Sequence, residues 1–289
     1  MKLHQNCIEC IFNQAKRVSS LLNLSKKEEI EVLNIAKKHI NSFDFNLTPP
    51  HNATPLYRDI SRFLKTDDLY KDIKEQSTTK AFKFAKICQD RVDNTHDKFL
   101  YALKTAVAGN VIDFAAEIIY DLEEEIEKIY STNFKIDDSR ELKEKLQSTK
   151  KLVYLGDNTA EEIFDKICIK TLKSIYPQLD VYYFVRGEPI INDLTMNEAK
   201  RSGLDEVATL VDSGVPTPGY AIDLAKKEAH NIFRSADCII SKGMGNYECL
   251  SEYGEFPIFF LLKVKCQVVA NDIGASLGDV ICKGSLSWK

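Results

Sequence analysis

The amino-acid sequence predicts an α/β protein, with a helical amino-terminal part over residues 1–148 and a three-layer α/β/α domain around a mostly parallel sheet over residues 149–289. Three observations carry that expectation. Up to about residue 148 the apolar side chains recur at helical spacing, whereas beyond it short apolar runs alternate with helical stretches. The third is composition: 289 residues, 44% hydrophobic and 28% charged, supply enough apolar side chain for a sizeable core. The longest apolar run, Phe256 to Leu262, is seven residues with a proline inside, far short of the ~20 needed to span a bilayer.

In the first part, Ser25 and Glu28 fit the capping-box pattern ahead of an apolar stripe at Ile30, Leu33, Ala36 and Ile40. Thr48-Pro-Pro-His-Asn-Ala-Thr-Pro55 is expected to be a turn-rich interruption. Further helical patterns cover about 55–65, 68–91, 96–108 and 110–130. Near residue 150 the pattern changes. Lys151-LVYLG, DVYYFVRG, VATLVDSG, DCIISKG, FPIFFLL, CQVVA and DVICKG have the composition of strands. Helical stretches at 159–175, about 195–203 and 220–234 separate the first four. Such alternation implies right-handed crossovers and a Rossmann-like parallel sheet.

The charges exclude some functions. Residues 1–150 carry 24 basic and 24 acidic side chains, and residues 151–289 carry 15 and 19. Neither part has the basic excess that drives nucleic-acid binding, so a small anionic substrate calls for a local arrangement such as a metal. The amino terminus, MKLHQNCIECIFNQ, has no apolar signal core. With eight cysteines in so long a chain, this points to a reducing cytoplasm and not a disulfide scaffold. Cys7-x-x-Cys10 alone has ligand or redox spacing, but no second such pair accompanies it, and thiols three apart share one helix face. Cys238, Cys266 and Cys282 lie in apolar runs and read as buried small hydrophobes.

In an open parallel sheet, ligands bind outside the carboxyl ends of the strands. Asp157-Asn158 follows the first predicted strand, Arg186-GEPIINDLT with Asp193 the second, Asp212-Ser213-Gly214 the third and Lys242-Gly243-Met244-Gly245-Asn246 the fourth. Each has an ordinary alternative. Asp157, Asn158 or Asp193 can cap a following helix, Ser213-Gly214 can be a simple turn, and Asn110 reads as a helix cap. Four strand ends together nevertheless gather carboxylates, amide oxygen, hydroxyl, glycines and a lysine at one edge. Two carboxylates with an amide oxygen suit a hard divalent cation, and a lysine ahead of glycines suits a phosphate.

The ordered set GDNTAEEIFDK, RGEPIINDLT, the serine–glycine loop and KGMGNYECL resembles the metal-dependent damage-control phosphatase family, and the CxxC amino terminus is similar to its stand-alone microbial branch. The resemblance implies that Asp157, Asn158 and Asp193 hold a divalent metal (manganese, magnesium, cobalt or nickel) and that Lys242 and the amides around Gly243 hold phosphate, with Ser213, Gly214 and Asn246 beside them. Glu161 matches the acidic position of the family's DNxxE stretch, and Asn110 and Asp113 match a GNxxD motif facing the same cleft. Two departures stand out: Thr159-Ala160 replaces a small residue–glycine pair, and Met244 stands where glutamine is common. The implied activity is hydrolysis of a small phosphorylated metabolite, a sugar phosphate or a damaged phosphometabolite, without a nucleic-acid or membrane partner. The rival classes are an S-adenosylmethionine-dependent methyltransferase, which would need a glycine-rich loop after the first strand in place of GDNTAEE, and a non-catalytic metal- or nucleotide-binding module.

Overall fold

The structure, a computed structural model, describes residues 1–111 and 122–285. Helices α1 (Gln5–Leu21), α2 (Lys26–Ile40), α3 (Pro49–Leu64), α4 (Lys71–Asp93), α5 (Lys98–Val111) and α6 (Leu122–Ser131) form the first part. The predicted capping box opens α2: the Ser25 hydroxyl accepts from the Glu28 amide, and the Glu28 carboxylate accepts from the Ser25 amide at 2.9 Å. The helix expected over 110–130 is seen at its two ends only, because 112–121 lie outside the described residues.

One expectation fails here. The Thr48–Pro55 stretch is not an interruption but the start of α3. Thr48 caps the helix by accepting from the His51 amide, and Pro49 and Pro50 occupy the first positions, where no amide needs an intrahelical partner. Pro55 sits inside the helix, where its missing amide removes one ladder bond and neighbouring contacts must compensate.

The sheet contains β1 (Ile136–Asp137), β2 (Lys151–Leu155), β3 (Asp180–Val185), β4 (Thr209–Asp212), β5 (Cys238–Lys242), β6 (Ile258–Lys263) and β7 (Val280–Gly284). Its order is β1-β7-β6-β5-β2-β3-β4, with every neighbouring pair parallel except β6 and β7. The edge strand β1 comes from chain ahead of residue 148, so the helical part and the sheet share this edge. Helices α7 (Ser139–Ser148), α8 (Glu161–Ile175), α9 (Met196–Arg201), α10 (Lys227–Arg234), α11 (Gly243–Leu250) and α12 (Gln267–Ile273) complete the chain order. The CQVVA segment is therefore helical and not a strand. Its Val269, Ala270 and Ile273 enter the core from one helix face; a short apolar run does not by its pattern tell strand from buried helix.

Alternation along the strands divides the core. Leu152 and Tyr154 of β2 pack on one face with Ala102, Leu103 and Ala106 of α5, while Val153 and Leu155 face Val269 on the other. Both faces are thus covered, as a parallel sheet requires. No helix among the described residues is long and apolar enough to cross a membrane.

Two local features set the site. A side chain at Gly109 would bring its Cβ within 3.2 Å of the Glu161 backbone and the Phe164 ring. Glycine lets α5 lie directly on the first turn of α8, which delivers Asn110 to the strand ends. Ala160, just before α8, is fully buried with φ +85°. This is the position at which the family resemblance implies glycine, and the backbone supplies the reason: a Cβ in the left-handed region costs roughly 1–2 kcal/mol. Ala160→Gly is therefore expected to raise stability by up to ~1 kcal/mol after the entropic penalty of glycine, read as a higher urea midpoint with an unchanged slope.

Candidate functional site

The loops after β2 and β3 are tied together by their backbones. Thr159 donates to the Asn192 carbonyl at 2.8 Å, Leu194 to the Asp157 carbonyl at 2.9 Å, and Asn158 and Asp193 form a bridge. Those bonds bring Asp157 and Asn158, from the loop after β2, and Asp193, from the loop after β3, to one side of a cleft of about 360 Å³. Asp157 Oδ2 accepts from the side-chain amides of Asn110 at 3.1 Å and Asn158 at 3.0 Å. Both amides also donate to Glu161 Oε1, at 3.0 and 2.8 Å. Asn110 is held in turn by the Lys263 amide, which donates to its Oδ1 at 3.1 Å. Asn110 is thus not a simple cap: it is buried and spans Asp157, Glu161 and β6. Asp113 lies outside the described residues.

Gly243, with φ +76°, explains how Asp157 fits. A Cβ there would overlap the Asp157 carboxylate, so the lysine–glycine step after β5 makes room for that acid. Asn246, fully buried, is a clamp. It donates to the Gly156 and Lys242 carbonyls at 2.9 and 2.7 Å and accepts from the Tyr220 amide and Arg186 at 2.7 and 3.1 Å. Ser213 donates to the Val185 carbonyl at 2.6 Å, which ties the third strand end to the second, and the Gly214 amide donates to Asp212 at 2.8 Å within the third.

Lys242 is entirely buried, and its ammonium donates to Asp165 at 2.8 Å and Glu161 at 3.3 Å. Its cation faces carboxylates; the lysine lining the open cleft is Lys265, after β6. Sequence spacing alone also misses Arg186 and Asp165. Arg186 Nε donates to Asp193 Oδ2 at 2.7 Å from a buried position. Asp165 accepts from the Tyr154 and Tyr183 hydroxyls, both at 2.7 Å, as well as from Lys242. The only sequence signal for Asp165 is its place one helical turn after Glu161.

Four buried carboxylates (Asp157, Glu161, Asp165 and Asp193) therefore share two buried cations, Arg186 and Lys242. Burial, then the charges of Glu161 and Asp193, push the Asp157 carboxyl well above its ordinary range, against the pull of Arg186 and Lys265. Burial likewise raises Asp193, with Arg186 opposing. Among the described residues, no group of three or more His, Cys, Asp or Glu side chains is arranged to hold a metal. The donor set at the cleft is instead two carboxylates and an amide. It is all oxygen, with both Asn158 amide hydrogens directed at Asp157 and Glu161, and it carries surplus negative charge. Those properties fit a hard divalent cation. Cys7, Cys10 and Cys266 line another stretch of the same cleft. Cys238 and Cys282 are buried as expected, while Cys266 is only partly so. A larger groove, about 480 Å³, lies beyond Ile191 against α3 and holds none of the converging acids.

Residues 3–281 match the profile of the damage-control phosphatase ARMT1-like domain. The chain is 33% identical to a damage-control phosphatase of Pyrococcus horikoshii over 287 residues, covering 98% of each protein. It is 32% identical to a damage-control phosphatase of Archaeoglobus fulgidus, covering 98% of this chain and 99% of that one. Its fold matches the crystal structure of a DUF89 family protein from P. horikoshii with a TM-score of 0.92 at 33% identity, over 99% of both chains.

Beside these acids, Glu162 is completely buried, and neither of its carboxylate oxygens has a hydrogen-bond partner among the described residues. Burial pushes it up to about 8, outweighing the pull of the nearby Glu162 and Ala160 amides. A carboxyl raised on folding favours the folded state fully below its unfolded value near 4.5, and that contribution disappears as pH rises through about 8. Glu162→Gln should remove this slope, leaving stability equal to wild type in acid and a few kcal/mol higher above pH 8, as read by urea unfolding across pH.

Proposed function

This chain belongs to the damage-control phosphatase ARMT1-like domain family, and from that premise we propose that it hydrolyses small phosphomonoesters with a divalent cation held by Asp157, Asn158 and Asp193. The observation that carries the reading is the bridge between Asn158 and Asp193, which sets two carboxylates and an amide side by side on the wall of an open cleft. Manganese, magnesium, cobalt and nickel all suit such oxygen donors. Bound there, the cation supplies Lewis-acid polarisation of a phosphoryl oxygen.

The chain's own residues orient and balance that centre. Arg186 fixes the Asp193 carboxylate, and the Asn110 and Glu161 pair fixes the rotamers of Asp157 and Asn158. Lys265 is the cation that meets phosphoryl charge from the cleft side, with the backbone around Gly243 and Gly245 adding amide dipoles. Lys242 is turned away from the phosphate toward Asp165 and Glu161, which it holds in place behind the cleft wall. Ser213 and Gly214 keep the Arg186 loop in register. Residues 149–289 carry this chemistry while residues 1–148 roof the cleft. The Cys7-x-x-Cys10 amino terminus supports a place in the stand-alone microbial branch.

Phosphate release from an aryl phosphate should vanish in chelator and return on adding manganese, cobalt, nickel or magnesium. Asp157→Ala should lower metal-restored turnover by at least about a hundredfold, the scale on which loss of a group supporting a metal or charge-stabilising site is felt. Full activity in that variant would remove the assignment.

A further inference from the structure

The cleft has a second polar end that hydrolysis at Asp157 and Asp193 does not use. Cys10, Gln14, Arg17 and Leu21 of α1 are spaced three and four apart and present one helix face to it. Arg17 has no carboxylate within ion-pair distance among the described residues, yet it lies close enough to Tyr70 to act electrostatically on its hydroxyl. The polar row beside it is built in: the buried Tyr57 donates to Gln14 Oε1 at 3.1 Å, and Tyr70 is buried against Tyr57. The same cleft is also lined by apolar Ile11, Pro49, Pro50, Ala53 and Ile191.

This layout resolves charge by position. The inner end is acidic and rejects a bare anion unless a cation bridges it. The α1 side offers an exposed guanidinium without a salt-bridge partner among the described residues, whose planar fork matches a carboxylate or phosphate. We infer that the cleft selects phosphomonoesters carrying a second anionic group, a carboxylate or another phosphate, which Arg17 binds at the end opposite the scissile phosphate. The inference rests on the phosphatase reading and adds the substrate class.

Its test uses the metal-loaded protein and two matched pairs: 6-phosphogluconate against sorbitol 6-phosphate for a carboxylate, and fructose 1,6-bisphosphate against fructose 6-phosphate for a phosphate. KM should be about tenfold lower for the doubly charged member of at least one pair, with kcat similar, as expected for one charge-assisted contact made equally in ground and transition states. Arg17→Ala should raise KM about tenfold more for that member than for its counterpart, and Arg17→Lys should keep part of the preference. Equal KM within both pairs, or an Arg17→Ala effect of the same size on both members, overturns the inference alone. No phosphate release from any of the four compounds by protein that hydrolyses the aryl phosphate overturns this inference alone, and no release from the aryl phosphate either overturns the phosphatase reading with it.

Discussion

The structure depends on a crowd of buried negative charge. Asp157, Glu161, Asp165 and Asp193 lie at or behind the carboxyl edge of the sheet with Arg186 and Lys242 as their buried counter-charges. Taking ionised groups out of water is costly unless each is paired and fully hydrogen-bonded. That requirement explains why so many otherwise unremarkable groups are committed here. The Tyr154 and Tyr183 hydroxyls both serve Asp165, and the side-chain amides of Asn110 and Asn158 both bridge Asp157 and Glu161. Charge still remains in excess at the cleft face, and it is there that a divalent cation would relieve it.

The fold meets this constraint by making the loops depend on one another. Asn246 joins the ends of β2 and β5 to Arg186, Arg186 fixes Asp193, and the loop after β3 is bonded to the loop after β2. Gly243 makes room for Asp157, and Gly109 makes room for the helical roof. Positioning of this kind comes from rigid elements and close backbone approach, so the acids keep their geometry despite mutual repulsion.

Much of this is legible in the sequence because strand ends in a parallel sheet all point one way. Once the alternation after residue 150 is read, Asp157, Asn158 and Asp193 fall on the same edge without any knowledge of contacts. Partnership is harder to read. Lys242 follows its strand as expected, but its counter-ions, Glu161 and Asp165, lie 81 and 77 residues away, and no local spacing announces that they claim its charge. Lys265 stands beside an apolar stretch, in the short link between β6 and α12, and nothing local in the sequence announces its place on the cleft wall. The two segments misread in kind, Thr48–Pro55 and CQVVA, are those in which position overrides propensity. Prolines at the first turn of a helix are favourable, and valines on a buried helix face pack as well as in a strand.

On the proposed reading, Asp157, Asn158 and Asp193 together bind one divalent cation. Anomalous diffraction from crystals of the protein soaked in manganese tests it without recourse to turnover. One strong manganese peak in contact with oxygen atoms of all three side chains is the expected result. A peak held elsewhere in the cleft, such as by Cys7, Cys10 and Cys266, or no peak at saturating manganese, would contradict it.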